Sequence, residues 1–114
     1  MQEKYKTFSD LGLKDDLVKA YNSLNYFIPS PIQEKAIPLG LQGADLISQS
    51  KAGTGKTLAF LGILFSRLAF TEQTTQAIIV LPTRELAFQI FDMLRRIAKK
   101  LPGPAVCESA CFIG

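Results

Sequence analysis

The sequence contains no histidine and only two cysteines, Cys107 and Cys111. Without histidine, imidazole general-base catalysis and histidine-containing metal sites are excluded. Two thiols without another soft ligand nearby make a poor zinc site, so we expect them to be reduced and partly buried. The chain is therefore expected to work inside the cell, in the cytoplasm or the nucleus.

Long apolar runs and a strong charge excess are also missing. The apolar stretch that includes Leu58–Leu64 ends before Ser66 and is too short to span a membrane. The N-terminus is polar and charged through Lys6, which predicts no secretory signal. The net charge of +3 permits an acidic partner such as nucleic acid without arguing for one. A chain of 114 residues that is 47% hydrophobic is typical of one globular domain with no membrane partner.

What is present, and most informative, is a glycine-rich segment between a strand-like and a helix-like apolar run. Its residues are Ser50, Lys51, Ala52, Gly53, Thr54, Gly55, Lys56 and Thr57, followed by Leu58. Glycines let the backbone N–H groups turn inward toward phosphate oxygens, Lys56 can reach the β- and γ-phosphates, and the Thr57 hydroxyl can ligate Mg²⁺. The pattern predicts a nucleoside triphosphate site, although Ser50 replaces the usual first glycine. The alternative is a glycine-rich turn with an incidental lysine.

Apolar periodicity around this segment predicts an α/β fold. Helices are expected over 14–24, from Pro31 with Ser30 as N-cap to about Gly40, over Thr57–Ala69 and over Thr83–Leu101. Strands are expected at Leu46–Ser48, Ala77–Leu81 and Val106–Ile113. Helices would flank a parallel sheet, and three strands leave an open edge. We therefore expect an incomplete domain, with residues 1–24 as an N-terminal segment and 25–114 as its first half.

Tyr26 and Gln33, upstream of the phosphate loop, permit two interpretations. An aromatic ring can stack on a purine, and a carboxamide can accept from adenine N6 while donating to N7. However, Ser30–x–x–Gln33 also has the pattern of a capping box, in which Gln33 bonds back to the Ser30 N–H. The residues alone leave both interpretations open.

The segment Pro82–Ala87 follows one predicted strand and begins a helix. Ligands bind open α/β sheets at the carboxyl ends of strands, so Thr83, Arg84 and the helix N-terminus could hold a phosphate. The alternative is an ordinary strand-to-helix turn with Thr83 as N-cap.

Together these segments resemble a DEAD-box RNA helicase. Phe8 and the run Tyr26–Gln33 are similar to the upstream aromatic and the Q motif, Ala52–Thr57 to motif I, and Pro82–Ala87 to motif Ia. The resemblance covers nearly the whole chain and implies a partial RecA-like P-loop domain. Asn25 stands where the family usually has glycine, and asparagine tolerates the left-handed backbone of such a turn.

The resemblance also implies roles and partners. Tyr26 would stack on the adenine of ATP, Gln33 would bond its edge, and Phe8 would pack behind. Ser50–Leu58 would hold the phosphates and Mg²⁺, with Lys56 and Thr57 as catalytic residues. Pro82, Thr83 and Arg84 would contact single-stranded or short duplex RNA.

The expected function is ATP and RNA binding within an ATP-dependent RNA helicase that unwinds short duplexes. The sequence contains no Asp–Glu–Ala–Asp segment and no Ser–Ala–Thr motif. Because phosphoryl transfer depends on such metal-binding and positioning groups, we expect these residues alone to hydrolyse little ATP. The alternatives are a truncated, non-catalytic module that binds nucleotide or a partner protein, and a different P-loop ATPase.

Overall fold

The computed structural model describes residues 7–49, 55–68, 74–101 and 110–112. Its helical elements in chain order are a 3₁₀ turn at Ser9–Leu11, α1 at Asp15–Ser23, α2 at Pro31–Leu41, α3 at Lys56–Arg67 and α4 at Arg84–Lys100. The four helices predicted from the sequence are thus confirmed, with ends close to the expected residues.

Local sequence signals explain where these helices begin. Asp15 and Asp16 lie in the first turn of α1, where carboxylates stabilise the helix dipole. Pro31 opens α2, where its missing N–H costs nothing. Thr83 caps α4, and its Oγ1 accepts a hydrogen bond from the Leu86 N–H at 3.1 Å. Asn25 adopts the expected left-handed conformation at φ 70° in the turn before Tyr26.

The helices share one apolar core. The largest fully buried side chains are Tyr21, Phe8, Ile37, Leu61 and Ile97. Helix α3 packs mainly on α2, while α1 contacts both α3 and α4. Where α2 meets α3, the missing side chain of Gly40 makes room for Ile63, and the Arg67 guanidinium donates to the Gly40 carbonyl at 2.9 Å. The N-terminal ends of α2 and α3 also lie close together, where the Gln33 Nε2 donates to the Gly55 carbonyl at 3.0 Å.

The predicted sheet is not confirmed, because the described part of the chain contains no strand. The segments around Leu46–Ser48 and Ala77–Leu81 are present but lack helical or strand assignment. Ile78 and Val80 are 82% and 88% exposed, and Ile47 is fully exposed. A strand exists only through hydrogen bonds to a neighbouring strand. The predicted strand Val106–Ile113 lies mostly outside the described residues.

Among the described residues, none of the helices has the length and apolarity that crossing a membrane requires. Cys111 is half-buried and carries a free thiol. Cys107 lies outside the described residues.

Candidate functional site

A pocket of about 300 Å³ lies between the N-terminal ends of α2 and α3. It is lined by Phe8, Tyr26, Ile28, Ser30, Pro31, Gln33, Gly55 and Leu58. The structure thus brings together five residues that the sequence predicted for one site, although they come from three separate segments of the chain. Ile28, Ser30 and Pro31 were not predicted as site residues, and they enter the pocket because they form the turn into α2.

Gln33 is the buried polar residue of this pocket, with 3% of its surface exposed. Its Oε1 accepts a hydrogen bond from the Ser30 N–H at 2.7 Å, and its Nε2 donates to the Gly55 carbonyl at 3.0 Å. A carboxamide oxygen has two lone pairs and its nitrogen has two hydrogens, so one of each is left over. The capping interaction and a contact with a ligand are therefore compatible, because each uses only half of the amide.

The Ser30 hydroxyl is a polar atom that needs a partner. It faces the first turn of α2, as in a capping box, but the contact does not have the geometry of a hydrogen bond. The hydroxyl oxygen is buried and has no hydrogen-bond partner among the described residues. An unsatisfied buried hydroxyl costs on the order of 1–3 kcal/mol. A polar ligand atom in the pocket would satisfy it, which fits a nucleotide better than a purely apolar molecule.

Gly55 supplies the backbone that faces Gln33. It is the N-cap of α3 and has a φ of 93°, a left-handed conformation that disfavours other residues. A Cβ at this position would collide with Gln33 Nε2 and would lie 2.9 Å from Ser30 Oγ. The glycine is therefore required both by its backbone conformation and by the close approach of two side chains.

Lys56 and Thr57 open helix α3, next to this contact. Lys56 is exposed and Thr57 is half-buried, at the helix end whose dipole favours anions. Ser50, Lys51, Ala52, Gly53 and Thr54 lie outside the described residues. The described residues include no group of three or more acidic, cysteine or histidine side chains that could hold a metal. Thr57 would thus supply one oxygen, which fits Mg²⁺ bound chiefly by phosphates and water.

Three aromatic rings form the wall behind the pocket. Phe8 and Tyr21 meet edge-to-face with centroids 5.0 Å apart, and Tyr21 and Tyr26 do so at 6.5 Å. The Tyr21 hydroxyl donates to the Leu58 carbonyl at 2.7 Å in a buried position. The sequence did not single out Tyr21, which is one of the apolar positions in the helix predicted over residues 14–24. The available signal was that a buried tyrosine needs a hydrogen-bond partner for its hydroxyl.

Pro82, Thr83 and Arg84 lie at the start of α4, and all three are exposed. The capping bond from Leu86 N–H to Thr83 Oγ1 is the ordinary strand-to-helix arrangement that the sequence allowed. This bond occupies the Thr83 side chain as an acceptor and leaves its hydroxyl hydrogen able to donate. The segment can therefore both begin the helix and contact a phosphate.

A glycine-rich loop that leads into a helix N-terminus is the arrangement with which P-loop proteins bind phosphate, and Gly55 begins α3 beside this pocket. The family model for DEAD/DEAH box helicases matches residues 30–111. The chain therefore belongs to the DEAD/DEAH box helicase family.

Individual relatives agree with this assignment. The chain is 45% identical over 101 residues to the DEAD-box ATP-dependent RNA helicase RhpA of Helicobacter pylori, covering 89% of this chain and 20% of that protein. It is 42% identical over 113 residues to the probable ATP-dependent RNA helicase DDX47 of Homo sapiens, covering 99% of this chain and 24% of the relative.

Solved structures show the same similarity in three dimensions. Dbp5 of S. cerevisiae bound to RNA and ADP BeF3 superposes with a TM-score of 0.80 at 38% identity, over 84% of this chain and 25% of that one. A DEAD box protein from Methanococcus jannaschii gives 0.77 at 33% identity, over 83% and 26% of the two chains. These neighbours are DEAD-box helicase domains of the RecA-like type, and the chain spans about a quarter of their length.

Proposed function

We propose that this chain binds ATP in the pocket between α2 and α3, as part of an ATP-dependent RNA helicase. The observation that carries the proposal is the position of Gln33. Its buried amide forms the pocket wall and bonds directly to Gly55, the residue from which the phosphate-loop helix starts. The Gln33 side chain thus lies between the proposed base-binding and phosphate-binding parts of the site.

Adenine is the base that the pocket chemistry favours. The spare lone pair of Gln33 Oε1 can accept from adenine N6, and the spare Nε2 hydrogen can donate to N7. Guanine has an acceptor at O6 instead of the amino group, so it would leave Oε1 without a donor. Tyr26 is half-buried and would stack on the ring, while Phe8, 1% exposed, supports the wall from behind.

The phosphates would lie at the N-terminus of α3. Backbone N–H groups of Ser50–Gly55 would surround them, Lys56 would neutralise their charge, and Leu58 would close the apolar side. Mg²⁺ would supply charge stabilisation to the phosphates when bound. Thr57 would contribute one hydroxyl ligand to that ion.

RNA would contact the start of α4 through Pro82, Thr83 and Arg84. An exposed arginine beside a helix N-terminus suits a phosphate of the RNA backbone, because both supply positive potential. The related Dbp5 structure, which contains RNA and ADP BeF3, supports the proposal that RNA and a nucleotide are the two ligands. Single-stranded or locally opened RNA is the proposed substrate, in a reducing intracellular compartment that suits the free thiol of Cys111.

Unwinding would belong to the complete helicase. The chain spans about a fifth of the curated relatives that it matches. We propose that these 114 residues alone show negligible RNA-stimulated ATPase, because they contain no Asp–Glu–Ala–Asp segment. Substantial turnover by a purified preparation free of other helicases would contradict this point.

The decisive experiment is an equilibrium titration of the chain with ATP and GTP in the presence of Mg²⁺. We expect a preference for ATP of roughly tenfold or more, since one lost hydrogen bond and one buried unpaired group are worth at least about 1.4 kcal/mol. Equal affinity for the two nucleotides would remove the assignment of Gln33 to adenine. Absence of binding to both would remove the proposed function.

A further inference from the structure

Tyr21 lies outside the motifs that predicted the site, yet it contacts three residues of the pocket wall, Phe8, Tyr26 and Leu58. The side chain is fully buried in α1, at 0% exposure. Its ring touches Phe8 and Tyr26, and its backbone carbonyl accepts the Tyr26 N–H at 2.9 Å. Its hydroxyl donates to the Leu58 carbonyl at 2.7 Å. One residue thus links the aromatic wall with the first turn of α3.

We propose that Tyr21 is a positioning residue that sets the first turn of α3 against the adenine wall, and thereby aligns Lys56 and Thr57 with the phosphates. This inference rests on the proposed binding of ATP. Tyr21 does not line the pocket, so it acts through Leu58 and Tyr26 rather than by touching the nucleotide.

The hydrogen bond is directional, whereas the surrounding contacts are not. Apolar contacts between α1 and α3 permit small rotations of the helix, because the hydrophobic effect depends on buried area rather than on angle. A hydroxyl bonded to one carbonyl restricts that rotation. Leu58 directly follows Thr57, so a rotation of this turn would move the Lys56 and Thr57 side chains together.

Burial keeps the hydroxyl in its donating form. It raises the pKa of Tyr21 above the ordinary value of a tyrosine, so the proton stays in place at neutral pH. The Leu58 carbonyl, as an acceptor with two lone pairs, can take this bond in addition to its bond within the helix.

Gly62 makes room for this contact. A Cβ at Gly62 would lie 2.9 Å from the Tyr21 hydroxyl oxygen and 3.6 Å from Leu13 Cδ2. Glycine is disfavoured inside a helix relative to alanine, so its presence in the middle of α3 fits a need for close approach. Substitution at Gly62 therefore offers a second way to disturb the same hydrogen bond.

The test compares binding of ATP with Mg²⁺ and of adenosine to the chain by NMR titration. Adenosine engages only the base wall, whereas ATP also needs the first turn of α3. In Tyr21→Phe, we expect ATP affinity to fall roughly three- to tenfold, the effect of one hydrogen bond, with adenosine affinity unchanged within about twofold. Gly62→Ala should lower the ratio of ATP to adenosine affinity in the same direction, and it decides the matter if Tyr21→Phe does not fold.

Ser66→Ala is the matched control. The Ser66 hydroxyl also bonds to a carbonyl of α3, that of Gly62 at 2.8 Å, but at a greater distance along the helix from Lys56 and Thr57. It should leave the ratio of ATP to adenosine affinity unchanged. An equal loss of both affinities in Tyr21→Phe, or an unchanged ratio, would overturn the positioning role alone. Failure of the unaltered chain to bind ATP would overturn the proposed function and this inference with it.

Discussion

Gln33 and Gly55 connect the beginnings of two helices through one hydrogen bond. The Gln33 Nε2 donates to the Gly55 carbonyl at 3.0 Å, while the Oε1 of the same amide accepts from the Ser30 N–H at 2.7 Å. Because the amide is buried, water cannot replace either partner. Changes at the base end of the pocket and at the start of the phosphate-loop helix should therefore be coupled.

Two substitutions at Gln33 separate its capping role from its contact with α3. Gln33→Glu keeps an oxygen that can accept from the Ser30 N–H but loses the amide donor to Gly55. Gln33→Ala loses both, leaving two buried backbone groups unpaired at a cost of about 1–3 kcal/mol each. We expect Gln33→Ala to lose both the α2 cap and the preference for ATP over GTP. Gln33→Glu should keep the preference, since its carboxylate can still accept from adenine N6, but should bind ATP more weakly because the donors to N7 and to the Gly55 carbonyl are lost.

Titration with the two nucleotides and thermal unfolding measure these effects separately. Gln89→Ala, at an exposed glutamine on α4, is the control and should change neither result. A Gln33→Ala variant that still prefers ATP as strongly as the unaltered chain would contradict the assignment.

Gly55→Ala tests whether the close approach of Gln33 to Gly55 contributes to ATP binding, apart from the backbone strain that any side chain would cause at Gly55. Gly43 provides a matched control, since its φ of 92° is nearly that of Gly55 while a Cβ there meets only Arg67 Nη2 at 4.0 Å. Both variants should lose roughly 1–2 kcal/mol of stability through the left-handed conformation. Only Gly55→Ala should weaken ATP binding, because only it displaces the Gln33 amide. Equal ATP affinities in the two variants would show that strain alone accounts for the glycine.

Alkaline pH should destabilise the fold through Tyr21. Burial raises the pKa of Tyr21 above its ordinary value of 10.0, so the unfolded chain releases this proton at a pH where the folded chain retains it. The contribution of Tyr21 to stability is constant below pH 10. Above it, the free energy of unfolding should fall by up to about 1.4 kcal/mol per pH unit.

Urea unfolding at several pH values, followed by circular dichroism, measures this slope. Tyr21→Phe cannot ionise, so the difference between the two proteins isolates this one group from the lysines that titrate in the same range. Parallel stability curves for the two proteins above pH 10 would show that the Tyr21 hydroxyl does not carry the effect.

Arg84 is expected to contribute to RNA binding through the phosphate backbone. Arg84→Ala should weaken binding of a single-stranded RNA oligonucleotide and reduce the magnitude of its salt slope by about 0.7, the value for one lost phosphate contact. Arg96→Ala removes the same charge from the same helix, at a side chain paired with Asp92 at 2.9 Å, and serves as the control. Fluorescence anisotropy at several salt concentrations gives both slopes. A slope that changes equally in the two variants would indicate only a loss of net charge.

The helices were predictable because their signals are local. The capping threonine of α4, the first-turn proline of α2 and the apolar periodicity of α1 each act within a few residues. The strands were predictable only as apolar segments. The segments that contain Ile47, Ile78 and Val80 have the composition of strands. A sheet, however, requires neighbouring strands that supply the partner of each backbone hydrogen bond.

The pocket was predictable in part, through motifs that matched a family. That resemblance proposed Phe8, Tyr26, Gln33 and Gly55 for one site, and the structure places them around one pocket. The sequence could not separate the two interpretations of Gln33, as a helix cap or as a contact for adenine. The answer depends on how many hydrogen-bonding positions of its amide are already occupied in the folded chain. The role of Tyr21 could not be predicted because its hydrogen-bond partner is the Leu58 carbonyl. Every residue has a backbone carbonyl, so the sequence does not indicate which one a tyrosine hydroxyl will contact.

The sequence by itself determined the helices, the phosphate-loop pattern and membership in a helicase family, since these depend on residue types at short spacing. Only the tertiary structure decided that Gln33 bonds to Gly55, that Tyr21 bonds to Leu58 and that Gly62 makes room for it. The physical reason is distance along the chain. These contacts join residues from separate elements, and helix packing in three dimensions, rather than any local preference, brings their atoms within hydrogen-bonding range.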